Sequence, residues 1–287
     1  MPNRLDFSKY HALGNDYLVI DPTRTAFDPD QRTIQALCDR HHGVGSDGIL
    51  LGPLPVKDDS AAFGLRVFNP DGSEAEKSGN GLRIFARYLL DAGYVKGASC
   101  RIRTPSGSSA VRYLEPDGSQ VEVDMGQPSF RAGDIPFTGM AADLEVLETP
   151  LLLPESSVTI TALSVGNPHC VLFPEHVTPI EARRLGPQIE CHGDFPNRVN
   201  VQLVEVIDRK CIRIEIWERG AGYTLASGSS SCAAAAACRR LGLVDDRMRV
   251  LMPGGAIDLV FTGQGRILMS GPVQAVFQGH LDAGWMP

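Results

Sequence analysis

The sequence predicts an α+β fold of two pseudo-symmetric domains, each a mostly antiparallel β-sheet or barrel wrapped around a central helix. Three observations carry this prediction. Strand-like runs fill most of the chain, few segments have helical periodicity, and two short Ser-Gly segments echo each other across half its length. With 287 residues, the chain is long enough for two domains that each bury a core.

The echoed segments are Ser78-Gly79-Asn80-Gly81 and Ser227-Gly228-Ser229-Ser230, and each opens an apolar stretch. Asn69 stands before Ser78 at the same distance as Glu218 stands before Ser227, and turn-forming residues fill both intervals. Each half therefore has a polar turn followed by a small hydroxyl residue at a predicted helix start.

A glycine-asparagine corner lies further upstream in each half, at Leu13-Gly14-Asn15 and at Val165-Gly166-Asn167. Echoes in the same order and at similar spacing indicate an internal duplication. Prolines and glycines cluster around residues 127–150. We therefore expect an N-terminal domain over 1–130, joined by 272–287, and a C-terminal domain over 131–271.

Several runs alternate apolar with polar residues, as antiparallel strands with one buried face do. The predicted strands include 17–21, 64–68, 121–125, 201–206 and 212–217. Helical spacing predicts helices over 30–41, 79–92 and 229–241. The last contains the alanines 233–237, whose small side chains favour a helix packed close against a surrounding sheet.

The composition of the chain argues against nucleic-acid and membrane partners. The formal charge is -7 and the Lys and Arg residues are scattered, which argues against nucleic acid as a partner. No apolar run approaches the roughly 18 to 20 residues of a membrane span, and Met1–Asp6 lacks an apolar signal region. We expect a cytoplasmic protein with a small-molecule ligand and no membrane partner.

The chain has seven cysteines, without a Cys-x-x-Cys pair or zinc-like spacing to histidine. They are predicted to be reduced and mostly buried thiols, so no metal site is expected. Cys232, inside the last predicted helix, is expected to be a core residue.

A helix N-terminus exposes unpaired backbone N–H groups and the positive end of the helix dipole, so it binds carboxylate or phosphate. Two such N-termini, at Ser78 and Ser227, are expected to face each other across an interdomain cleft and to hold one small anionic ligand. The alternative is that both serines are only N-caps, a role that serine fills well.

A set of longer motifs runs through the whole chain. They are His11-Ala12-Leu13-Gly14-Asn15-Asp16-Tyr17, Arg40-His41-His42-Gly43-Val44-Gly45-Ser46-Asp47-Gly48, Phe68-Asn69-Pro70-Asp71-Gly72-Ser73-Glu74, Gly79-Asn80-Gly81-Leu82-Arg83, Gly166-Asn167-Pro168-His169-Cys170, Arg198-Val199-Asn200, Trp217-Glu218-Arg219-Gly220-Ala221-Gly222, Met252-Pro253-Gly254-Gly255 and Met269-Ser270-Gly271-Pro272. In these motifs the chain resembles the diaminopimelate epimerase family of cofactor-independent amino-acid racemases and epimerases.

This resemblance implies an isomerase that inverts an α-carbon with two bases and without pyridoxal phosphate. The reaction implied is conversion of LL- to meso-diaminopimelate in lysine and peptidoglycan biosynthesis, by a protein that forms a homodimer. The family's two catalytic cysteines correspond to Ser78 and Ser227, assisted by His169 and Glu218 respectively. The substrate-binding positions correspond to Asn15, Asn69, Gly79, Asn80, Asn167, Asn200, Arg219, Gly228 and Ser229.

Serine at both catalytic positions is a departure from the family pattern. A cysteine ionises near pH 8.5, and a helix N-terminus lowers that pKa, whereas a serine hydroxyl stays protonated and needs a neighbouring base. We therefore expect a poor racemase. Two origins stay open: replacement of cysteines in an otherwise active enzyme, which the retained His169 and Glu218 favour, and native divergence, which the altered neighbouring residues favour.

Three alternatives to diaminopimelate epimerisation follow from the same residues. The retained amides and Arg219 also suit a racemase of another polar amino acid, such as histidine or O-ureidoserine. A homologue that binds an amino acid without chemistry is the second alternative. The third is isomerisation or dehydration of another small acid.

Overall fold

The computed structural model describes residues 4–57, 62–154 and 156–285. The chain divides into two compact units. The first comprises Met1–Val123 and Gly271–Pro287, and the second comprises Asp124–Ser270. None of the helices in the described ranges is long and apolar enough to cross a membrane.

The first half of the chain carries two helices among its strands. In order, its elements are β1 (Leu5–Ala12), β2 (Asn15–Ile20), α1 (Gln31–Cys38), β3 (Ile49–Leu54), β4 (Ala62–Phe68), β5 (Glu74–Ala75), α2 (Gly79–Asp91), β6 (Ser99–Thr104), β7 (Gly107–Tyr113) and β8 (Gln120–Gly126). Strands β2 and β3 pair in parallel, as do β4 and β6. The pairs β1–β2, β3–β4, β4–β5, β6–β7 and β7–β8 are antiparallel.

The second half repeats this plan. Its elements are β9 (Thr149–Leu153), β10 (Ser156–Ser164), β11 (Pro168–Leu172), α3 (Pro179–Glu190), β12 (Asn200–Asp208), β13 (Cys211–Glu218), β14 (Gly222–Thr224), α4 (Gly228–Arg240), β15 (Arg247–Met252), β16 (Gly255–Phe261), β17 (Ile267–Pro272) and β18 (Gln274–Leu281). The parallel pairs are β11–β12 and β13–β15. The antiparallel pairs are β10–β11, β12–β13, β13–β14, β15–β16 and β16–β17.

Each series from β1 to β8 and from β10 to β17 therefore has the same succession of strands, helices and pairings. Each unit has one further strand outside this series. In the first unit β18 pairs antiparallel with β1, and in the second β9 pairs antiparallel with β10. The duplication and the α+β class predicted from the echoed segments are confirmed.

A buried helix lies at the centre of each unit. On α2, Leu82, Ile84 and Phe85 are fully buried, and this helix packs on β1, β2, β3 and β6. On α4, the alanines 233–237 and Cys232 are buried against β10 to β13, β15 and β16. Because an alanine side chain ends at Cβ, strands can approach α4 from several sides, as the alanine run predicted.

The other two helices differ from the sequence-based expectation. Helix α1 ends at Cys38 rather than near residue 41, and the chain then turns so that the N–H of Val44 bonds to the carbonyl of Leu37 at 3.1 Å. Helix α3 was not predicted, because Gly186 and Pro187 interrupt its pattern. Gly186 is required by packing, since a Cβ there would lie 2.4 Å from Cγ of Trp217.

The packing of α4 predicts that added volume at its alanines is destabilising. Ala235→Leu should lower the free energy of unfolding by about 1–3 kcal/mol, because the surrounding strands leave no room for the larger side chain. Urea denaturation measures this change. Ala141→Leu, at an exposed position, is the control and should change stability by less than about 0.5 kcal/mol. Equal stability of the two variants would contradict the close packing.

Candidate functional site

Ser78 is the N-cap of α2. Its backbone is extended (φ -130°, ψ 121°), and its Oγ accepts a hydrogen bond from the N–H of Gly81 at 3.0 Å. Gly79 and Asn80 form the buried first turn that follows. The hydroxyl of Tyr17 on β2 lies 3.3 Å from Ser78 Oγ. A half-buried hydroxyl thus stands at the positive end of a buried helix.

The first glycine-asparagine corner brings Asn15 to this helix N-terminus. Leu13 and Gly14 both have positive φ, 57° and 85°, and form the tight turn between β1 and β2. Asn15 then accepts a hydrogen bond from Nδ2 of Asn80 at 3.0 Å. The sequence-predicted residues Asn15 and Asn80 are therefore in direct contact.

A cluster of charged side chains supports the same corner. Asn15 donates to Asp47 at 3.0 Å, and Nη2 of Arg40 bridges Asp16 and Asp47 at 2.7 Å each. Burial raises the pKa of Asp16, but hydrogen bonds from Arg40 and Lys9 outweigh it and hold the pKa at about 2. Burial raises the pKa of Asp47. Arg40, Asp16 and Asp47 lie within the sequence motifs, but the motifs do not indicate this supporting role.

Asn69 lies in the turn between β4 and β5. Its Nδ2 donates to Ser73 Oγ at 2.9 Å, and its backbone N–H donates to the Ser73 carbonyl at 2.8 Å. These bonds make Asn69 a turn residue with a half-buried side chain.

Ser227 repeats the position of Ser78 in the second unit. It is the N-cap of α4, with φ -146° and ψ 122°, and its Oγ accepts from the N–H of Ser230 at 3.4 Å. Gly228 and Ser229 form the buried start of the helix. Ser227 is only 3% exposed, so its hydroxyl is more enclosed than that of Ser78.

His169 lies on β11 within a buried polar group. Its Nε2 is 3.0 Å from Oδ1 of Asn167, which can only accept, so Nε2 carries the hydrogen. Gln202 on β12 donates to Ser230 Oγ at 3.0 Å. Burial lowers the pKa of His169 to about 3. At neutral pH the imidazole is therefore uncharged and a weak base.

Asn200 and Arg219 are brought together at the end of β13. Asn200 donates from Nδ2 to the carbonyl of Pro168 at 2.8 Å and accepts the backbone N–H of Arg219 at 3.0 Å. The preceding residue, Glu218, ends β13 with a half-buried side chain. The guanidinium of Arg219 reaches the carbonyl of Asn197 at 3.3 Å.

Glu190 is a positioning residue that sequence reasoning missed. Its buried carboxylate accepts from Nε1 of Trp217 at 2.7 Å and from the N–H of Gly220 at 2.9 Å. These two bonds hold both sides of the Glu218-Arg219 pair. Nothing in the sequence marked Glu190, because it ends α3, whose pattern was itself obscured.

Asn15 contacts Asn80 in the first turn of α2, and Gln202 contacts Ser230 in the first turn of α4. A helix N-terminus can bind a carboxylate and stabilise negative charge that develops beside it. In the described part of the chain, no group of three or more His, Cys, Asp or Glu side chains could hold a metal ion. The hydroxyl, phenol and imidazole groups can take part in proton transfer, and the helix N–H groups can bind an anion.

The buried neutral state of His169 predicts a pH-dependent stability. Its folded pKa of about 3 lies below the unfolded value near 6.5, so the unfolded chain binds an extra proton between these limits. The His169 contribution should be fully present above pH 6.5 and fall by roughly 1.4 kcal/mol per pH unit below it. Urea denaturation of the native chain and of His169→Gln at several pH values isolates the effect. Identical pH slopes for both proteins would contradict it.

The role of Glu190 predicts a further loss of stability. Glu190→Ala should lower the free energy of unfolding by about 2 kcal/mol or more, because Trp217 Nε1–H and the Gly220 N–H lose their acceptor. Gln188→Ala, at an exposed position of the same helix, is the control and should have an effect below about 0.5 kcal/mol. Thermal or urea unfolding distinguishes the two variants, and a Glu190→Ala protein as stable as the control would refute the role.

Known proteins are similar to this chain in sequence and in fold. The model of the family described as diaminopimelate epimerase matches residues 7–131 and 161–276. Diaminopimelate epimerase 2 of Nostoc sp. is 50% identical over 280 residues, covering 97% of this chain and 96% of that protein. Diaminopimelate epimerase of Cyanothece sp. is 41% identical over 282 residues, covering 96% and 99%.

Solved structures with lower identity share the fold. A hydroxyproline epimerase from Agrobacterium vitis has a TM-score of 0.74 at 15% identity, covering 98% of this chain and 94% of that one. A phenazine biosynthesis protein from Bacillus anthracis has a TM-score of 0.63 at 16% identity, covering 97% and 99%. Sequence similarity over nearly the whole length, together with this fold, shows that the chain belongs to the diaminopimelate epimerase family.

Proposed function

We propose that this chain epimerises or racemises the α-carbon of an amino acid, diaminopimelate first among the candidates, without a cofactor. One observation carries the proposal. Two topologically equivalent helices each begin at a serine N-cap, Ser78 and Ser227. The family resemblance assigns the two acid–base residues to these positions. The names of its relatives support diaminopimelate as substrate, and with it a place in lysine biosynthesis.

Inversion of an α-carbon needs a base on one face and an acid on the other. We assign one face to Ser78 and the opposite face to Ser227. The substrate carboxylate is held by helix N–H groups, which also stabilise the negative charge that appears as the α-proton leaves. Asn15, Asn69, Gly79, Asn80, Asn167, Asn200, Arg219, Gly228 and Ser229 are the proposed substrate-binding residues.

The serines make the proposed activity slow. An aliphatic hydroxyl does not ionise near neutral pH. Each serine therefore needs a proton partner, meaning a neighbouring group that takes its proton and returns it. His169 is a weak partner because burial lowers its pKa to about 3. Glu218 is the proposed base for Ser227, since a carboxylate is ionised at neutral pH. Restoring thiols should therefore raise the rate.

The location, oligomeric state and partners of the protein are inferred from the same family membership. We infer that the protein acts on a small molecule in the cytoplasm, as a homodimer, and without nucleic acid. The formal charge of -7 and the absence of a basic stripe in the sequence support the last point.

Exchange of the α-proton in deuterated buffer tests the function. The native chain is incubated with LL- and meso-diaminopimelate, L-histidine and O-ureido-L-serine, and loss of the α-proton signal is followed by NMR. We expect slow exchange of diaminopimelate, and about a hundredfold faster exchange when Ser78→Cys and Ser227→Cys are combined, because each thiol ionises far more readily.

Ser108→Cys is the matched control, since it adds a thiol at an exposed strand position and should leave exchange unchanged. Exchange of histidine or O-ureidoserine instead would reassign the substrate. Tight binding without exchange, even with both thiols present, would refute the epimerase and favour an amino-acid-binding protein.

A further inference from the structure

The phenol of Tyr17 lies beside the hydroxyl of Ser78. Tyr17 Oη lies 3.3 Å from Ser78 Oγ, within hydrogen-bond distance, and either oxygen can be the donor. Ser78 Oγ meanwhile accepts the N–H of Gly81 at 3.0 Å. Because a hydroxyl oxygen has two lone pairs and one hydrogen, Ser78 can keep the cap bond while exchanging a proton with Tyr17.

The ring of Tyr17 is buried and packs closely on the backbone of Gly48. Tyr17 is 7% exposed, and the backbone of Gly48 lies against its ring. A Cβ at position 48 would lie 2.7 Å from Cε1 of Tyr17 and 2.4 Å from the carbonyl oxygen of Phe68. A glycine at this position, with φ 155°, therefore leaves the space that the aromatic ring fills.

The duplication of the fold is a second, independent observation that singles out Tyr17. Tyr17 follows the Gly14-Asn15 corner at the same distance as His169 follows the Gly166-Asn167 corner. Strands β2 and β11, which carry these residues, have equivalent pairings in the two units. The fold therefore puts a side chain able to carry a proton at the same place in both units.

We propose that Tyr17 is a further catalytic residue, the proton partner of Ser78. This inference rests on the proposed function and explains how a serine can serve one face of the α-carbon. A phenol has a pKa near 10, far below that of an aliphatic hydroxyl, so it releases and accepts a proton much more readily. Ser78 is the more exposed of the two groups, and it is the one that meets the substrate.

The proton steps balance as follows. When the α-carbon is protonated, the Ser78 O–H bond breaks, a C–H bond forms, and the Tyr17 proton moves to Ser78 Oγ. The negative charge of the carbanion ends on the Tyr17 phenolate rather than on a serine alkoxide. In the reverse direction, the phenolate takes the Ser78 proton as Ser78 takes the α-proton. The positive end of α2 stabilises negative charge beside Ser78 in both directions.

The test compares Tyr17→Phe in two backgrounds, with Ser227→Cys in every protein so that the other face carries a competent thiol. The first background keeps Ser78 and the second has Ser78→Cys. Exchange of the α-proton of diaminopimelate in deuterated buffer is measured for each. With Ser78 present, Tyr17→Phe should slow exchange about a hundredfold, the usual size of a general acid–base contribution.

In the Ser78→Cys background, the same Tyr17→Phe change should slow exchange by less than about threefold, because a thiol of pKa near 8.5 ionises without the phenol. Tyr10→Phe is the matched control, since Tyr10 pairs with Tyr17 across the β1–β2 ladder but its hydroxyl bonds to Asp91 at 3.0 Å. It should leave exchange unchanged in both backgrounds.

Three results would overturn the role of Tyr17. Equal loss in both backgrounds would show that Tyr17 acts only on structure, and no loss with Ser78 present would show that the phenol is not used. Exchange that appears only with Ser78→Cys would show that the native pair transfers no proton. Absence of exchange in all variants, including Ser78→Cys with Ser227→Cys, would instead refute the epimerase function itself and the Tyr17 role with it.

Discussion

The structure of each unit depends on burying one helix among the strands of that unit. Helices α2 and α4 are enclosed by strands, and the alanine side chains of α4 let those strands approach closely. A buried helix cannot leave its first N–H groups to solvent, so they must be satisfied by a cap or by a ligand. Ser78 and Ser227 supply the cap, and the remaining N–H groups form a site suited to an anion. The same constraint that stabilises the fold thus creates the chemistry of the site.

Polar contacts within each unit then fix what surrounds these helix ends. In the first unit, the tight β1–β2 turn and the Arg40 bridge hold Asn15 against Asn80. In the second, Glu190 holds the chain on either side of Glu218 and Arg219. Asp16 and Glu190 are buried carboxylates with several hydrogen bonds, so removing one of their partners leaves a buried charge less well compensated. The placement of the residues that are predicted to bind substrate therefore depends on Arg40 and Glu190.

The proposed activity depends on the groups beside Ser78 and Ser227, because a serine hydroxyl does not ionise near neutral pH. Burial makes His169 a neutral hydrogen-bond donor, whereas Tyr17 offers a phenol directly to Ser78. The two units keep the same backbone plan but differ in the proton-carrying groups beside it.

The sequence by itself determined the duplication, the α+β class, three of the helices and the family, because these depend on spacing, periodicity and motifs that the chain displays locally. It also identified Ser78 and Ser227 as helix starts, since an N-cap is a local signal. Only the tertiary structure revealed α3, the support from Glu190, the Arg40 bridge and the Tyr17–Ser78 contact. Each of these joins residues distant in the chain, and α3 is stabilised by packing of Gly186 on Trp217 despite an unfavourable local sequence. The pKa of His169 was likewise decided by burial, which no local pattern expresses.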